Sequence, residues 1–237
     1  MTAIGRFELA AFDARDTQAL ARFYRDLTGW QITRDEGDWI IVQAGDGQQV
    51  LFQPVENHTP PQWPGQEHPQ QAHLDLLIDD HHAAAARAVQ LGATRLADGP
   101  SWITLADPAG HPFDLCQRDG VGPEMGLYAV TYDAPDAVAL ARFYSAVLGM
   151  ELTYEGPEGA LITDGGRNLM FQQIENYSAP QWPDPANPQQ VHLDIFVDDL
   201  DDAEARVLAL GATRLPGGGE KFRTFADPAG HPFDFTL

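Results

Sequence analysis

The chain is written twice, and a fold for it has to accommodate that. Leu20-Ala21-Arg22-Phe23-Tyr24 returns as Leu140-Ala141-Arg142-Phe143-Tyr144, and Pro61-Gln62-Trp63-Pro64 as Pro180-Gln181-Trp182-Pro183. His73-Leu74-Asp75 returns as His192-Leu193-Asp194. The run from Asp107 to Asp114 (Asp-Pro-Ala-Gly-His-Pro-Phe-Asp) returns intact from Asp227 to Asp234. The period is about 120 residues, which makes each copy a domain rather than one turn of a solenoid. The joint falls in the polar stretch from Arg118 to Glu124, with Gly120, Gly122 and Pro123, giving expected domains of 1–118 and 123–237.

Inside each copy the pattern runs strand, helix, strands, and then repeats. Asp16 precedes Leu20, Phe23, Tyr24 and Leu27 at helical spacing, and Gly29 follows as a stop signal; Asp136 to Gly149 has the same design. Asp80 to Gly92 and Leu200 to Gly211 are Ala-rich, open at aspartates able to cap the first turn, and also end in glycine. Strands are expected at Trp39 to Gln43, Val50 to Val55, His73 to Ile78 and Trp102 to Leu105. Asp107 to Gly110 is turn chemistry, because Pro presets φ and Gly tolerates φ > 0.

Alternation along these strands separates an apolar face from a polar one. Val50 and Phe52 oppose Gln53, Leu74 and Leu76 oppose His73 and Asp75, and Phe113 and Leu115 oppose Asp114 and Cys116. If the apolar side covers the helices, Gln53, His73, Asp75 and Asp114 line the other surface, as do Gln172, His192, Asp194 and Asp234 in the second copy. A curved sheet would turn that surface into a polar cup.

Composition narrows the partners. Asp and Glu number 35 against 14 Lys and Arg, a formal net charge of -21, which disfavours a polyanion because phosphate recognition depends on basic side chains. No nucleic-acid partner is expected. A field of this sign favours neutral or cationic ligands. Met1 to Arg6 lacks the apolar run of a signal peptide and no stretch is long enough to span a bilayer, so the expectation is a cytoplasmic protein without a membrane partner. The single cysteine, Cys116, excludes an internal disulfide and cysteine-rich zinc modules.

Together, the Phe-Tyr helix, the His-Leu-Asp strand, the Leu-Gly-Ala-Thr helix exit and Asp-Pro-Ala-Gly-His-Pro-Phe resemble the vicinal oxygen chelate superfamily, in its glyoxalase-like and bleomycin-resistance-like branch. The resemblance implies an α+β fold of two tandem glyoxalase-like domains. Each would be built of two βαβββ modules forming a curved, cup-shaped mixed sheet backed by helices. That fold hosts lyases, isomerases, epimerases, extradiol dioxygenases and drug-binding proteins, so it restricts function without selecting it.

The family's metalloenzymes carry ligands on the first and last strands of each module. By position, His73, Asp114 and Gln53 match three of these, and His192, Asp234 and Gln172 repeat them. The first-strand position falls at Leu9 and Ala129, which cannot bind a metal; Glu8 is a neighbour, but its counterpart is Tyr128.

The expected function is binding of a small organic molecule, neutral or cationic, with lyase or isomerase activity open. Gln53, His73, Asp75, Trp63, Gln172, His192, Asp194 and Trp182 would contact the ligand, and Asp114 and Asp234 would act as catalytic carboxylates. No cofactor is required by this reading. A divalent metal ion on the six matched residues, serving a glyoxalase-type lyase, is the rival, and a scaffold with closed cups is the third reading. The copies would pair intramolecularly in a monomer or homodimer. His111 and His231, placed just after a turn, read as structural or solvent-facing, and His81 and His82 as solvated. Trp63 and Trp182 could lie over the cups or anchor modules, with packing favoured. Cys116 has no thiol counterpart, since Thr236 takes its place, which disfavours a shared nucleophilic mechanism.

Overall fold

The computed structural model describes residues 2–65, 67–122, 124–184 and 187–237. Pro123, where the second domain is expected to open, lies outside them. The element order is β1 (Arg6–Ala14), α1 (Thr17–Thr28), β2 (Gln31–Glu36), β3 (Trp39–Gln43), β4 (Gln49–Pro54), β5 (Ala72–Ile78), α2 (His81–Gln90), β6 (Thr94–Asp98), β7 (Trp102–Ala106) and β8 (Pro112–Gln117). The second copy follows as β9 (Gly126–Ala134), α3 (Ala137–Leu148), β10 (Glu151–Gly156), β11 (Gly159–Thr163), β12 (Asn168–Gln173), β13 (Val191–Phe196), α4 (Leu200–Ala209), β14 (Thr213–Arg214), β15 (Phe222–Ala226) and β16 (Pro232–Thr236).

The helices form where capping chemistry and periodicity place them. Asp16, Asp80, Asp136 and Asp199 each accept a first-turn backbone N–H, and α1 and α3 end on Gly29 and Gly149 at φ 85° and 71°. A side chain at either glycine would be strained in that left-handed conformation. Leu20, Phe23, Tyr24 and Leu27 are all buried on one face of α1, as the spacing predicts.

The strands form two open, eight-stranded mixed sheets, ordered β14-β15-β16-β13-β1-β4-β3-β2 and β10-β11-β12-β9-β5-β8-β7-β6. With four helices this is an α+β fold. The strand order adds what the repeat does not fix: β1–β4 and β5–β8 of one copy enter different sheets, and so do β9–β12 and β13–β16. By compactness the chain divides into residues 11–130 and residues 1–10 with 131–237, so that the nine-residue strands β1 and β9 each pass from one unit to the other.

Within residues 11–130, Phe23, Tyr24, Phe52 and Phe113 pack as a ring cluster with centroids 5.2–6.0 Å apart. Phe143, Tyr144, Phe171 and Phe233 repeat it in the other unit. Burying rings of this size supplies much of a core's stability, roughly 1.5–3 kcal/mol per large side chain.

The most distinctive motif is structural. Asp107 Oδ1 accepts the N–H groups of Ala109 and His111 at 2.8 and 3.0 Å, while its Oδ2 accepts the Tyr24 hydroxyl at 3.0 Å. Gly110, at φ 95°, lets the chain reverse. Asp227 does the same for Ala229, His231 and Tyr144. The Phe-Tyr helix and the Asp-Pro-Ala-Gly-His turn therefore recur together because one bonds the other. Burial pushes the Asp107 carboxyl up to about 7 and the His111 imidazole down to about 4. Both His111 and His231 are fully enclosed, so their role is structural and not solvent-facing. His81 is also buried, contrary to the solvated placement expected of it, because it opens α2 on the helix's inner face; His82 is exposed.

Candidate functional site

β5 and β8 are adjacent and parallel, with Asp75 registered opposite Asp114. His73 precedes Asp75 by two residues on the same face, so three polar side chains project from one small patch. His73 Nε2 lies 3.7 Å from Asp75 Oδ1 and 3.9 Å from Asp114 Oδ2. β13 and β16 repeat the arrangement, with Asp194 opposite Asp234 and His192 Nε2 3.5 Å from Asp194 Oδ1. In each triad the three ligand atoms lie within 4.8 Å of one another.

The surroundings make these patches costly to leave alone. His73 and Asp75 are buried, and Asp114 Oδ1 is buried with no hydrogen-bond partner among the described residues; Asp234 Oδ1 is in the same position. Desolvation raises the Asp114 carboxyl above its ordinary range, with Asp75 adding to the rise, against the pull of His73 and a hydrogen bond from Thr104. Asp234 is raised by the same cause, opposed by His192, Thr224 and more weakly Arg214. A carboxylate oxygen left open by the described residues can accept from a water or a ligand group, or face a cation.

The donor set fits a divalent ion. Oxygen and nitrogen ligands at roughly 2.0–2.2 Å from an ion sit about 3.3–3.6 Å apart in a tetrahedral site. The imidazole-to-carboxylate separations of 3.5–3.9 Å are close to that and too long for good direct hydrogen bonds.

The amides expected to join the triad of their own copy stand in the other sheet. Gln53 stands on β4 and Gln172 on β12, each in the other sheet from the imidazole and carboxylates of its own copy. Gln53 donates instead to the buried Asp13, and Gln172 to Asp133. The physical reason is that 17 residues separate β4 from β5, a connection long enough to change sheets. Leu9 and Ala129 are buried apolar residues on β1 and β9.

Trp63 and Trp182 are both half-buried. A Cβ at Gly217 would lie 3.4 Å from the Trp182 ring and 3.9 Å from Thr224 Oγ1, which places this indole on the side of the sheet where Thr224 supports Asp234. Cys116 Sγ lies 3.7 Å from Asp75 Oδ1, and burial, then Asp75 and Asp114, push its thiol well up, the opposite of an activated nucleophile. An open hollow of about 650 Å³ lies elsewhere, at the start of α1, lined by Arg15, Asp16, Thr17, His58, Pro60 and Pro108.

Two supporting residues per triad escape a reading based on strand alternation alone. Gln70 and Gln189 place their amides 3.3 Å from His73 Nδ1 and His192 Nδ1. Thr104 and Thr224 sit across from Asp114 and Asp234 on the neighbouring strand. The repeat carries a signal for the amides, since Pro-Gln-Gln precedes each histidine strand at 69–71 and 188–190.

Comparison with known proteins agrees with this architecture. Glyoxalase I from Zea mays superposes with a TM-score of 0.69 at 19% identity, over 98% of this chain and 92% of that one. The CppA protein from Streptococcus pneumoniae superposes with a TM-score of 0.54 at 14% identity, over 99% and 98%. At these identities the likeness is one of fold. No functionally curated protein matches the chain. The profile of the glyoxalase-like domain matches twice, over residues 10–116 and 129–236. The chain thus belongs to the glyoxalase-like domain family of the vicinal oxygen chelate superfamily and carries that domain in two copies.

Proposed function

We propose that the two domains, taken as 1–118 and 123–237, each bind a small organic molecule, neutral or cationic, at the His73–Asp75–Asp114 and His192–Asp194–Asp234 triads. One observation carries this reading: in both copies a half-buried carboxylate keeps its buried Oδ1 without a hydrogen-bond donor among the described residues, beside a histidine. Asp114 Oδ1 and Asp234 Oδ1 are acceptors that the described residues leave open, which suits a ligand rich in N–H or O–H groups. Trp63 and Trp182 would supply apolar contact beside that polar floor.

The chemistry open to such a site is proton transfer of a lyase or isomerase kind. A carboxylate raised by desolvation is a better base than one in water, and Asp114 and Asp234 stand where a proton next to a carbonyl could be taken and returned. The Zea mays glyoxalase I neighbour makes a lyase of that type the first reaction to assay.

The test is a thermal-shift screen of aromatic and cationic metabolites against the purified chain, followed by titration of each hit. Saturable stabilisation is expected by mass action, amounting to about 2.7 kcal/mol at a hundredfold excess over Kd. His73→Ala and His192→Ala should each remove part of it. A broad library without a saturable hit, or hits indifferent to both variants, would sink the reading.

A further inference from the structure

We propose that the hollow beside the start of α1 binds an amino acid as its zwitterion, the carboxylate on Arg15 and the ammonium on Asp38, with the side chain against Pro60 and Pro108. None of these residues belongs to a triad, so the site goes beyond the proposed function. The hollow lies wholly within residues 11–130 and holds about 650 Å³, inside the usual range for small-molecule sites.

The walls are fixed before any ligand arrives. Gln18 Nε2 donates to Asp35 Oδ1 at 2.9 Å and to the Gly37 carbonyl at 3.0 Å, tying the turn that carries Asp38 to α1. His58 Nε2 donates to the Ala109 carbonyl at 2.9 Å, and Pro60 packs on the same turn so closely that a Cβ at Gly110 would meet it at 2.6 Å. The helix start by itself offers little, since Asp16 already accepts the Ala19 N–H. The side chains around it are open. Thr17, only 3% exposed, lines the hollow with a hydroxyl that no described residue bonds, and the Arg15 and Asp38 side chains have no partner among the described residues either. Burial, then His111, lowers the His58 imidazole, so it stays neutral and, with Nε2 donating, presents Nδ1 as an acceptor.

The second copy shows that the fold does not need these groups. Pro135 stands in place of Arg15 and Ala137 in place of Thr17, yet α3 starts on Asp136 just as α1 starts on Asp16. The counterpart of Asp38 is Glu158, which accepts the Tyr154 hydroxyl at 2.8 Å, and that of His58 is Tyr177, whose hydroxyl donates to the Ala229 carbonyl at 2.9 Å. The second copy removes or pairs each polar group that the first keeps open around one hollow.

Charge selects the ligand. A guanidinium suits a carboxylate, and an ammonium suits Asp38 and His58 Nδ1. A phosphate or dicarboxylate would meet Asp16 and Asp38 as well as the net charge of -21, whereas a zwitterion carries no net charge through that field. The two prolines favour an apolar side chain.

The test is isothermal titration calorimetry of the whole chain with L-leucine, L-methionine and L-phenylalanine, and with the desamino and the decarboxylated analogue of each. At least one amino acid should bind saturably, and its two analogues, each lacking one charge, should bind more weakly by about tenfold or more. Arg15→Gln and Asp38→Asn, both at exposed positions, should each weaken it by about tenfold, and Thr17→Ala by about threefold or more. His73→Ala should leave it unchanged.

No saturable binding by any of the three, an analogue that binds as tightly as its parent, or full affinity in both Arg15→Gln and Asp38→Asn would each overturn the inference. Loss of binding in folded His73→Ala would overturn it as well, by assigning the amino acid to the triad. Failure here with triad binding intact leaves the proposed function standing.

Discussion

The two copies set the same residues in different surroundings, and the contrast separates what the fold needs from what the sites do. Asp75 has a side chain 6% exposed and a thiol neighbour in Cys116; Asp194 is 19% exposed, and Thr236 replaces the thiol. Arg214 bears on Asp234 beside His192, whereas His73 is the one positive group acting on Asp114 and no arginine joins it. The first triad is the drier and less compensated of the two. Away from the triads, Asp107 accepts from Tyr24 and two backbone groups, while Asp227 accepts from Tyr144, two backbone groups and also His231 Nδ1 at 3.0 Å. Both oxygens of each turn carboxylate are filled by a phenol and two backbone groups, which marks the turns as scaffold.

The largest effect should come from breaking that scaffold. Asp107→Ala strands a buried backbone N–H, a part-buried one and a buried phenol, and is expected to destabilise by about 3–5 kcal/mol in urea unfolding. Asp227→Ala should cost more, because His231 also loses its partner. Equal losses would mean that the extra histidine bond contributes nothing, and the contrast between the turns would fail.

Acid–base behaviour offers a smaller but sharper comparison. Burial raises the Asp107 carboxyl to about 7 from its ordinary 3.8, so its favourable contribution is complete below pH 3.8 and is lost as pH rises toward 7. The His111 imidazole is lowered to about 4 from 6.5, so its contribution is complete above pH 6.5 and is lost as pH falls toward 4. His58 faces both, its own imidazole lowered by burial and then by His111. The two slopes oppose each other over the same interval, so this pair together adds little pH dependence between pH 4 and 7, and the slope that remains comes from other shifted groups such as Asp114, Asp234 and His58. Asp107→Asn, which mimics the protonated acid, should uncover a rise with pH of roughly 2–3 kcal/mol. His111→Gln should uncover a fall of similar size. Unfolding curves at several pH values check both, and variants whose slopes do not depart from the wild type in opposite directions would contradict the cancellation.

Much of this was legible in the chain because duplication filters noise. The capping aspartates, the Phe-Tyr helix, the inward Phe52 and Phe113 and the polar row of His73, Asp75 and Asp114 all follow from local periodicity and turn chemistry. Sheet membership does not. When the first module of one copy resembles the first module of the other, the His-Leu-Asp strand meets an equally suitable neighbour in either, and alternation cannot choose between them. Gln53 was therefore grouped with His73 and Asp114 although strand order puts it in the other sheet. The burial of His111 and His81 was likewise invisible, since enclosure depends on what packs over a residue and not on its neighbours in sequence.

The smallest expected effect concerns the one chemical difference between the triads. Cys116 lies outside the three-ligand set, and its thiol stays protonated because burial and the charges of Asp75 and Asp114 all disfavour a thiolate. A disulfide reagent at pH 8 should react with it at least about a hundredfold more slowly than with a free thiol, for want of the thiolate that attacks. Cys116→Thr gives the first triad the residue found in the second. It should shift stability by less than about 0.5–1 kcal/mol in urea unfolding. A larger loss would mean that the buried sulfur packs against Asp75 in a way a threonine hydroxyl cannot replace. The drier triad would then differ from its counterpart in packing as well as in solvent access.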